Sequence, residues 1–300
     1  PEASGRGWPS GAVHPSLRPL FLKAGQAESG RRRMTMGSQE QKILERFGRT
    51  AGVFSDFVLT RRAQDMRQVV AWAKPEKACL VLDVACGPGT LALAFAASVA
   101  GPDSIGAGVV GVDLTPEMLL RARQEAEASG CTCCWFCRGR AEALPFADAT
   151  FDIVSCAYSF HHLAAPERVL EEMLRVTKPG GRALIVDLIA PEEDDRAARN
   201  NQIERLRDAS HTRTLKLSEL SRMCARGSGS PEWFLFDRDR DFEDWMAVAG
   251  VKAGTSIYDE CYELMWRSME SDAAGFGPRW EGHQLHFTMP SVAMAMRKQP

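Results

Sequence analysis

Long hydrophobic runs are missing from this sequence. The longest apolar stretch, Leu91–Ala100, is about half the length that a bilayer-spanning helix needs. We therefore expect no integral membrane contact and a soluble mature protein.

An excess of charge of one sign is missing as well. The chain has 37 Lys and Arg against 39 Asp and Glu, a formal net charge of −2. Bulk electrostatics then attract neither nucleic acid nor an anionic membrane surface, so we predict neither as a partner. Hydrophobic residues make up 45% of the chain, enough to bury a sizeable core.

A disulfide framework is not indicated either. The nine cysteines are odd in number and unevenly spaced. Cys79, Cys86 and Cys156 lie in apolar runs, where a thiol acts as a small hydrophobic group. This usage favours a reducing, cytoplasmic compartment.

The segment Cys131-x-Cys133-Cys134-x-x-Cys137 is spaced like a metal site. On a strand, however, Cys131, Cys133 and Cys137 would share one face while Cys134 points to the other. Structural zinc requires four converging ligands. We predict buried strand cysteines and no metal.

The first 36 residues differ from the rest. Pro1–Arg33 is rich in Gly, Pro, Ser and Arg, with six basic residues and two acidic ones, and has no apolar stretch of signal-peptide length. We predict a disordered tail or upstream extension over residues 1–36 and one domain over 37–300. Organellar targeting by residues 1–33 is the alternative, since the segment is Arg-rich and acid-poor.

Hydrophobic periodicity predicts a doubly wound α/β fold. Residues 39–75 repeat at helical spacing, with a break at Gly48 and Gly52. Short buried strands then alternate with helices, which indicates a mostly parallel sheet. The strands are predicted at Cys79–Val84, Val109–Asp113, Cys131–Cys137, Phe151–Ala157 and Arg182–Leu188, with two more at Ser256–Tyr258 and Leu285–Met296. The helices between them are predicted at Leu91–Val99, Pro116–Ser129 and Pro166–Thr177.

Two helical segments are candidates for lids over a ligand. One is the N-terminal region 39–75, and the other is a charged insertion over 191–230. Phe54, Phe57 and Trp233 are candidates for an apolar pocket, with core packing as the alternative.

The glycine loop Val81-Leu-Asp-Val-Ala-Cys-Gly-Pro-Gly-Thr-Leu91 predicts a nucleotide-like cofactor. A buried strand leads into Gly87-x-Gly89 and then a helix, at the carboxyl ends of the strands where such folds bind ligands. With Ala92 the loop also fits a dinucleotide fingerprint, so it does not by itself identify the cofactor.

Two carboxylates accompany this loop. Asp113 ends the second strand, where it could accept both hydroxyls of a ribose or could cap the next helix. Asp83 lies in an apolar strand, where a charge is costly without a partner. A ligand amino group is one partner, and loop amides are the alternative.

A family resemblance follows from six motifs in order. They are Leu82-Asp-Val-Ala-Cys-Gly-Pro-Gly89, Val110-Gly-Val-Asp-Leu-Thr-Pro-Glu-Met-Leu119, Gly139-Arg-Ala-Glu-Ala-Leu-Pro-Phe146, Phe151-Asp-Ile-Val-Ser-Cys-Ala157, His161-His-Leu163 and Leu174-Arg-Val-Thr-Lys-Pro-Gly-Gly181. The chain resembles the class I S-adenosylmethionine-dependent methyltransferases, in the UbiE-like (methyltransferase type 11) subgroup. The resemblance implies a seven-stranded Rossmann-like sheet, S-adenosyl-L-methionine as cofactor, and in-line methyl transfer to a small-molecule acceptor. The alternatives are an NAD(P)-dependent oxidoreductase and a non-catalytic interaction module on the same fold, and the oligomeric state stays open.

The resemblance also implies roles for individual residues. The methionine end of the cofactor would be held by Asp83, Ala85, Cys86, Gly87 and Gly89. Asp113 would bind the ribose, Leu114 would pack on the adenine, and Ala141 and Glu142 would lie at its edge. Cys156 and Ala157 would lie near the transferring methyl. Many relatives carry Asp where this chain has Arg140, which cannot accept a hydrogen bond from adenine.

Two histidines are candidate general bases. His161 stands in the His-His-Leu motif, and His211 lies in the insertion. The alternatives are a bond to loop backbone for His161 and a solvated helix end for His211.

Overall fold

The computed structural model describes residues 37–100, 107–228 and 230–299. The prediction for residues 1–36 therefore lies outside the described residues. None of the helices in the described ranges has the length and hydropathy that crossing a membrane requires.

Helices and strands alternate through most of the chain. In the described residues the helices are α1 (Ser38–Arg61), α2 (Ala63–Ala73), α3 (Thr90–Val99), α4 (Pro116–Ala128), α5 (Pro166–Val176), α6 (Asp194–Arg207), α7 (Leu217–Ser228), α8 (Phe242–Val248) and α9 (Ser256–Arg267), with a 3₁₀ turn at Phe160–His162. The strands are β1 (Leu80–Val84), β2 (Gly108–Asp113), β3 (Cys134–Arg138), β4 (Phe151–Ala157), β5 (Thr177–Leu188), β6 (Glu232–Asp241), β7 (Arg279–Glu281) and β8 (Gln284–Arg297).

The strands form one sheet in the order β3-β2-β1-β4-β5-β8-β6, with the short β7 paired to β8. Strands β1 to β5 pair in parallel, whereas β8 runs antiparallel to both β5 and β6. The predicted doubly wound, mostly parallel sheet is confirmed, with β7 as an additional hairpin strand.

Both faces of the central strands are covered. Alternate residues of β1 enter opposite apolar clusters: Leu82 packs on the side of α5, and Val81 packs on the side of α3. All five residues of β1 are buried. This explains why the strand reads as a continuous apolar run rather than an alternating one.

Close packing at Gly111, in the middle of β2, gives a stability prediction. A Cβ there would lie 2.5 Å from the ring of Phe136 and 2.8 Å from Sγ of Cys86. We expect Gly111→Ala to lower the free energy of unfolding by about 1–3 kcal/mol, because the added methyl overpacks the core. Gly52→Ala is the control: its Cβ would meet nothing within 4 Å on helix α1, so it should raise stability by up to about 1 kcal/mol. Urea denaturation measures both, and equal effects would contradict the packing argument.

The predicted break at Gly48 and Gly52 is wrong. Helix α1 continues through both glycines and ends at Arg61. A Cβ on Gly48 would lie 3.5 Å from the carboxylate of Glu117 in α4, so the glycine lets the two helices approach closely. Tertiary packing here outweighs the low helix propensity of glycine.

The predicted third strand begins too early. Strand β3 starts at Cys134, and Cys131 and Cys133 precede it with their sulfur atoms 4.0 Å apart. Both pack on the same side of the sheet as Cys134, whereas Cys137 faces the other cluster. The faces predicted for Cys131 and Cys133 are wrong because two-residue alternation applies only within a strand, whereas Cys134 and Cys137 face opposite sides as predicted. Of these four cysteines only Cys137 is buried, so the prediction of buried cysteines is wrong for the other three.

The fifth strand is longer than predicted. Strand β5 starts at Thr177 and includes Pro179-Gly-Gly181, whereas the sequence predicted a strand that begins only at Arg182. Its pairing register with β4 shifts between Phe151 and Ile153. This irregularity accommodates the Pro-Gly-Gly segment in the strand.

The last third of the chain needs further corrections. Ser256–Tyr258 is not a strand but the start of α9, where the side chain of Thr255 accepts from the backbone N–H of Tyr258. Two strands are missing from the prediction: the short β7, and β6, which was hidden by its alternating Asp and Arg residues. Trp233, a predicted pocket residue, is 46% exposed on β6 and lines neither cavity described below.

Candidate active site

A cavity of about 1020 Å³, partly open to solvent, lies where β1, β2 and β4 end beneath α1. Nine of the residues predicted to bind the cofactor line it, namely Asp83, Ala85, Cys86, Gly87, Asp113, Leu114, Ala141, Glu142 and Ala157. Gly89 and Cys156 do not line it. Gly89 is the N-cap residue of α3, and Cys156 is fully buried.

The glycine loop turns sharply beside this cavity. Gly87 and Gly89 have φ values of 53° and 84°, and Ala85 has a φ of 53°, which is strained for a residue with a Cβ. A Cβ on Gly87 would meet nothing within 4 Å, so its backbone faces open space. A Cβ on Gly89 would lie 3.2 Å from the Cβ of Ala122 in α4, which shows that the glycine loop packs closely against that helix.

Asp113 fastens the glycine loop to the end of β2. Its Oδ2 accepts from the backbone N–H of Gly87 at 2.8 Å, and its Oδ1 accepts from that of Thr115 at 2.8 Å. The carboxylate is buried, which raises its pKa, yet it lines the cavity. Each carboxylate oxygen retains a second lone pair. Asp113 can therefore hold the loop and still accept from a ligand.

Asp83 is a buried carboxylate without a cationic partner. The hydroxyl of Ser155 donates to its Oδ1 at 2.9 Å, and no basic side chain of the described residues lies within ion-pair distance. Burial raises the pKa of Asp83 to about 7. A ligand with an ammonium group at this position would supply the missing charge.

Helix α1 closes the far end of the cavity through an ion pair that the sequence did not reveal. Glu40 is 7% exposed, and its Oε1 lies 2.5 Å from Nη2 of Arg140. The only signal available was the arginine at position 140, where many relatives carry Asp. The pair joins the N-terminal helix to the loop after β3.

A second cavity, which we call the side chamber, adjoins the first. It encloses about 550 Å³ of free space, part of it open to solvent, and shares with the first cavity the walls formed by Phe47, Phe54, Arg62, Tyr158 and His162. Its other apolar walls come from Phe57, Leu188, Trp245, Val248 and Met289. Phe54 and Phe57 thus line a cavity, as predicted.

His161 lines the side chamber and is held by a carboxylate. Its Nδ1 lies 2.6 Å from Oδ1 of Asp187, and its backbone N–H donates to Oδ2 of Asp187 at 3.1 Å. With Nδ1 donating to Asp187, Nε2 of His161 is left as a hydrogen-bond acceptor.

The other two nearby histidines, His162 and His211, are buried and form hydrogen bonds within the protein. Nδ1 of His162 lies 3.1 Å from the carbonyl oxygen of Ser210, and burial lowers the pKa of His162 to about 3. Nε2 of His211 lies 3.1 Å from Oδ1 of Asn201, and burial lowers the pKa of His211 well below its usual value. His211 lies outside the lining of both cavities, with its ring centre 5.4 Å from that of His161.

Comparison with known proteins places this geometry in a family. The family described as "Methyltransferase domain" matches residues 81–181. The uncharacterized methyltransferase YcgJ of Bacillus subtilis (strain 168) is 36% identical over 177 residues, which cover 59% of this chain and 67% of that protein. A demethylmenaquinone methyltransferase of Thermus thermophilus is 40% identical over 111 residues, covering 37% of this chain and 48% of that enzyme.

Solved structures agree with the sequence relatives. A candidate methyltransferase from Bacillus halodurans C-125 superposes with a TM-score of 0.71 at 32% identity, covering 79% of this chain and all (100%) of that chain. The structure of YcgJ gives a TM-score of 0.69 at 28% identity, covering 79% of this chain and 99% of that one. The predicted enzyme class, cofactor and small-molecule acceptor are confirmed. The chain belongs to the class I S-adenosylmethionine-dependent methyltransferases, in the UbiE-like group.

Proposed function

We propose that the chain transfers the methyl group of S-adenosyl-L-methionine to a small aromatic or apolar acceptor bound in the side chamber. The observation that carries this proposal is the shared wall: Tyr158 and Phe54 border both the glycine-loop cavity and the side chamber. The methyl group of a cofactor in the first cavity and an acceptor in the side chamber would meet beside these two residues.

The cofactor residues have the following proposed roles. The amino group is held by Asp83, and the methionine end by the backbone at Ala85, Cys86, Gly87 and Gly89. Asp113 binds the ribose, and the adenine is bordered by Leu114, Ala141 and Glu142, with Leu114 packing on it. Ala157, backed by Cys156, lies near the methyl group. Support comes from the open space at Gly87 and from Asp83, which accepts from the hydroxyl of Ser155 but has no cationic partner among the described residues. A fixed cavity of this kind supplies alignment, which is the main requirement of an in-line displacement.

His161 is the proposed general base. In methyl transfer the bond between sulfur and methyl carbon breaks and a bond from that carbon to the acceptor forms, while the acceptor releases a proton. His161 lines the side chamber, and its Nε2 can take this proton while Asp187 holds the ring. His211, which does not line the chamber, is proposed to stabilise the fold.

A panel of acceptors tests the proposed function. Purified protein with methyl-labelled cofactor should transfer label to at least one small phenol, hydroquinone or aromatic acid. The names of relatives such as demethylmenaquinone methyltransferase make quinone-like compounds the first to try. Binding of S-adenosylhomocysteine without labelled product from any member would contradict an acceptor of this class.

The ion pair between Glu40 and Arg140 leads to a prediction for cofactor retention. We expect Glu40→Ala to weaken S-adenosylhomocysteine binding about fivefold, because α1 loses a charged contact that is only partly screened by water. Glu45→Ala is the control, since Glu45 is exposed on the same helix. Dissociation rates measured by surface plasmon resonance check this, and equal rates for both variants would refute the proposed closure.

We also propose a cytoplasmic setting. Cys86, Cys156 and Cys261 are buried among apolar side chains, which suits a reducing compartment. One relative, the 2-phytyl-1,4-beta-naphthoquinone methyltransferase of Arabidopsis thaliana, is chloroplastic. Organellar targeting by residues 1–33 is therefore the alternative.

A further inference from the structure

Positive charge is concentrated around the side chamber. Four arginines line it, namely Arg46, Arg62, Arg207 and Arg240. Two of them are neutralised within the chain: Nε of Arg46 lies 2.9 Å from Asp208, and Nη2 of Arg207 lies 2.8 Å from Glu204. In the part of the chain that the structure describes, Arg62 and Arg240 have no acidic side chain within 4.0 Å.

Two arginines pack against Tyr158, and of these only Arg62 lacks a carboxylate among the described residues. The guanidinium carbon of Arg62 lies 4.2 Å from the centre of the Tyr158 ring, and that of Arg238 lies 4.8 Å from it. Arg240 neighbours Arg238 on the same face of β6, over the ring of Phe57. Three residues of this group keep a buried polar atom that forms no hydrogen bond in the described structure, namely Nε of Arg62, Oη of Tyr158 and Nη1 of Arg238.

The acidic groups nearby do not neutralise Arg62 or Arg240. Asp65 pairs with Arg238 at 3.0 Å, and Asp187 is engaged by His161 at 2.6 Å. Burial and the neighbouring arginines lower the pKa of Arg62 well below its usual value. Burial, followed by the charge of Arg238, lowers the pKa of Arg240 to about 9. Buried like charges are costly unless an anion compensates them.

We infer that the acceptor carries an anionic oxygen group, a carboxylate or a phosphate, which Arg62 and Arg240 bind beside Tyr158. This inference rests on the proposed function, because it concerns the acceptor of the same site. The aromatic walls at Phe54 and Phe57 fit an apolar body between the anion and His161. Guanidinium groups are well suited to such oxygen anions, since they can donate two parallel hydrogen bonds.

Calorimetry with matched probes tests the inference. The full chain is saturated with S-adenosylhomocysteine and titrated with benzoate, with the nearly isosteric but uncharged benzamide, and with phenyl phosphate. We expect benzoate or phenyl phosphate to bind at least about tenfold more tightly than benzamide, as one lost charge-assisted contact is worth about this factor. The tighter of the two anions identifies the carboxylate or the phosphate as the preferred group.

Variants assign this preference to the cluster. Arg62→Gln and Arg240→Gln should each bring the affinity of the preferred anion close to that of benzamide. Arg61→Gln should keep the full preference, because Arg61 is 64% exposed and lies one residue away on α1. An anion preference retained in both cluster variants would overturn the inference, as would equal affinities of all three probes in the parent.

Binding of the cofactor product, S-adenosylhomocysteine, distinguishes failure of the proposed function from failure of the anionic-acceptor inference. If S-adenosylhomocysteine gives no heat with the parent, the proposed function itself is wrong. If it binds but benzamide matches both anions, only the anionic acceptor is wrong. Heat from S-adenosylhomocysteine also shows that each variant is folded. If a variant does not fold, the comparison of the three probes in the parent still decides whether the acceptor is anionic.

Discussion

Replacing Asp83 by Asn is expected to weaken S-adenosylhomocysteine binding about 30-fold or more. The variant keeps the size of the side chain and an oxygen for the hydroxyl of Ser155, which donates to Asp83 at 2.9 Å. It removes only the charge that would face the amino group of the cofactor. Losing one partner of a buried charged pair costs about 2–5 kcal/mol, which sets the size of the effect. Titration calorimetry at pH 8 measures it.

The same carboxylate makes cofactor binding depend on pH. Burial raises the pKa of Asp83 to about 7 in the cofactor-free protein, and a bound ammonium would lower it. Below about pH 7 the carboxyl must therefore lose a proton before the ion pair forms. Affinity should fall as the pH drops below 7, by up to about tenfold per pH unit, and should be flat above it. Asp83→Asn should abolish this dependence.

Loss of the Asp83 charge should weaken cofactor binding but stabilise the cofactor-free folded protein. The folded pKa of Asp83 lies above its unfolded value near 3.8, so its ionisation opposes folding increasingly between about pH 4 and 7. Asp83→Asn should therefore raise the free energy of unfolding of the cofactor-free protein at pH 8. Asp148→Asn, which removes a carboxylate that is 78% exposed, is the control. If Asp83→Asn binds the cofactor product as the parent does, Asp83 has no role in the site.

Replacing His161 by Gln is expected to slow methyl transfer about 100- to 10,000-fold, the range that a positioned general base contributes. His161 lines the side chamber, whereas nine of the eleven proposed cofactor residues line the first cavity. Binding of S-adenosylhomocysteine should therefore change less than about threefold. Single-turnover transfer of labelled methyl, with an acceptor found in the panel, measures the rate.

His211→Gln is the matched control for that experiment. His211 contacts Asn201 at 3.1 Å and lies away from the chamber. Its replacement should lower the free energy of unfolding by about 1–3 kcal/mol, because a buried hydrogen bond is lost, and should leave the rate nearly unchanged. A normal rate in His161→Gln, or a slow one only in His211→Gln, would reverse the assignment of the base.

The parts that sequence reasoning predicted well are local. The strand β1, the glycine loop and Asp113 stand within about 35 residues, and each has a direct physical signature: a buried run, a sharp turn and a carboxylate after a strand. These signatures can be recognised without knowledge of the tertiary structure, because a parallel sheet always brings the carboxyl ends of its strands together.

The parts that sequence reasoning missed depend on distant segments. Arg62 comes from the end of α1 and Arg240 from β6, about 180 residues later, and only the tertiary fold brings both into the lining of the side chamber. Strand β6 was itself missed because its buried positions 238 and 240 carry charge, so that hydropathy does not show the alternation. Acceptor recognition in this fold is assembled from such segments, which is why the cofactor could be predicted and the acceptor could not.

Titration calorimetry of the full chain with S-adenosylhomocysteine, beside NAD⁺ and with Asp113→Ala as comparison, tests the central assignment most directly. We predict binding of S-adenosylhomocysteine at one site, no heat with NAD⁺, and a large loss of affinity in Asp113→Ala, since Asp113 also fastens Gly87 at 2.8 Å. Absence of heat with S-adenosylhomocysteine, or an Asp113→Ala variant that binds it as the parent does, would contradict the account.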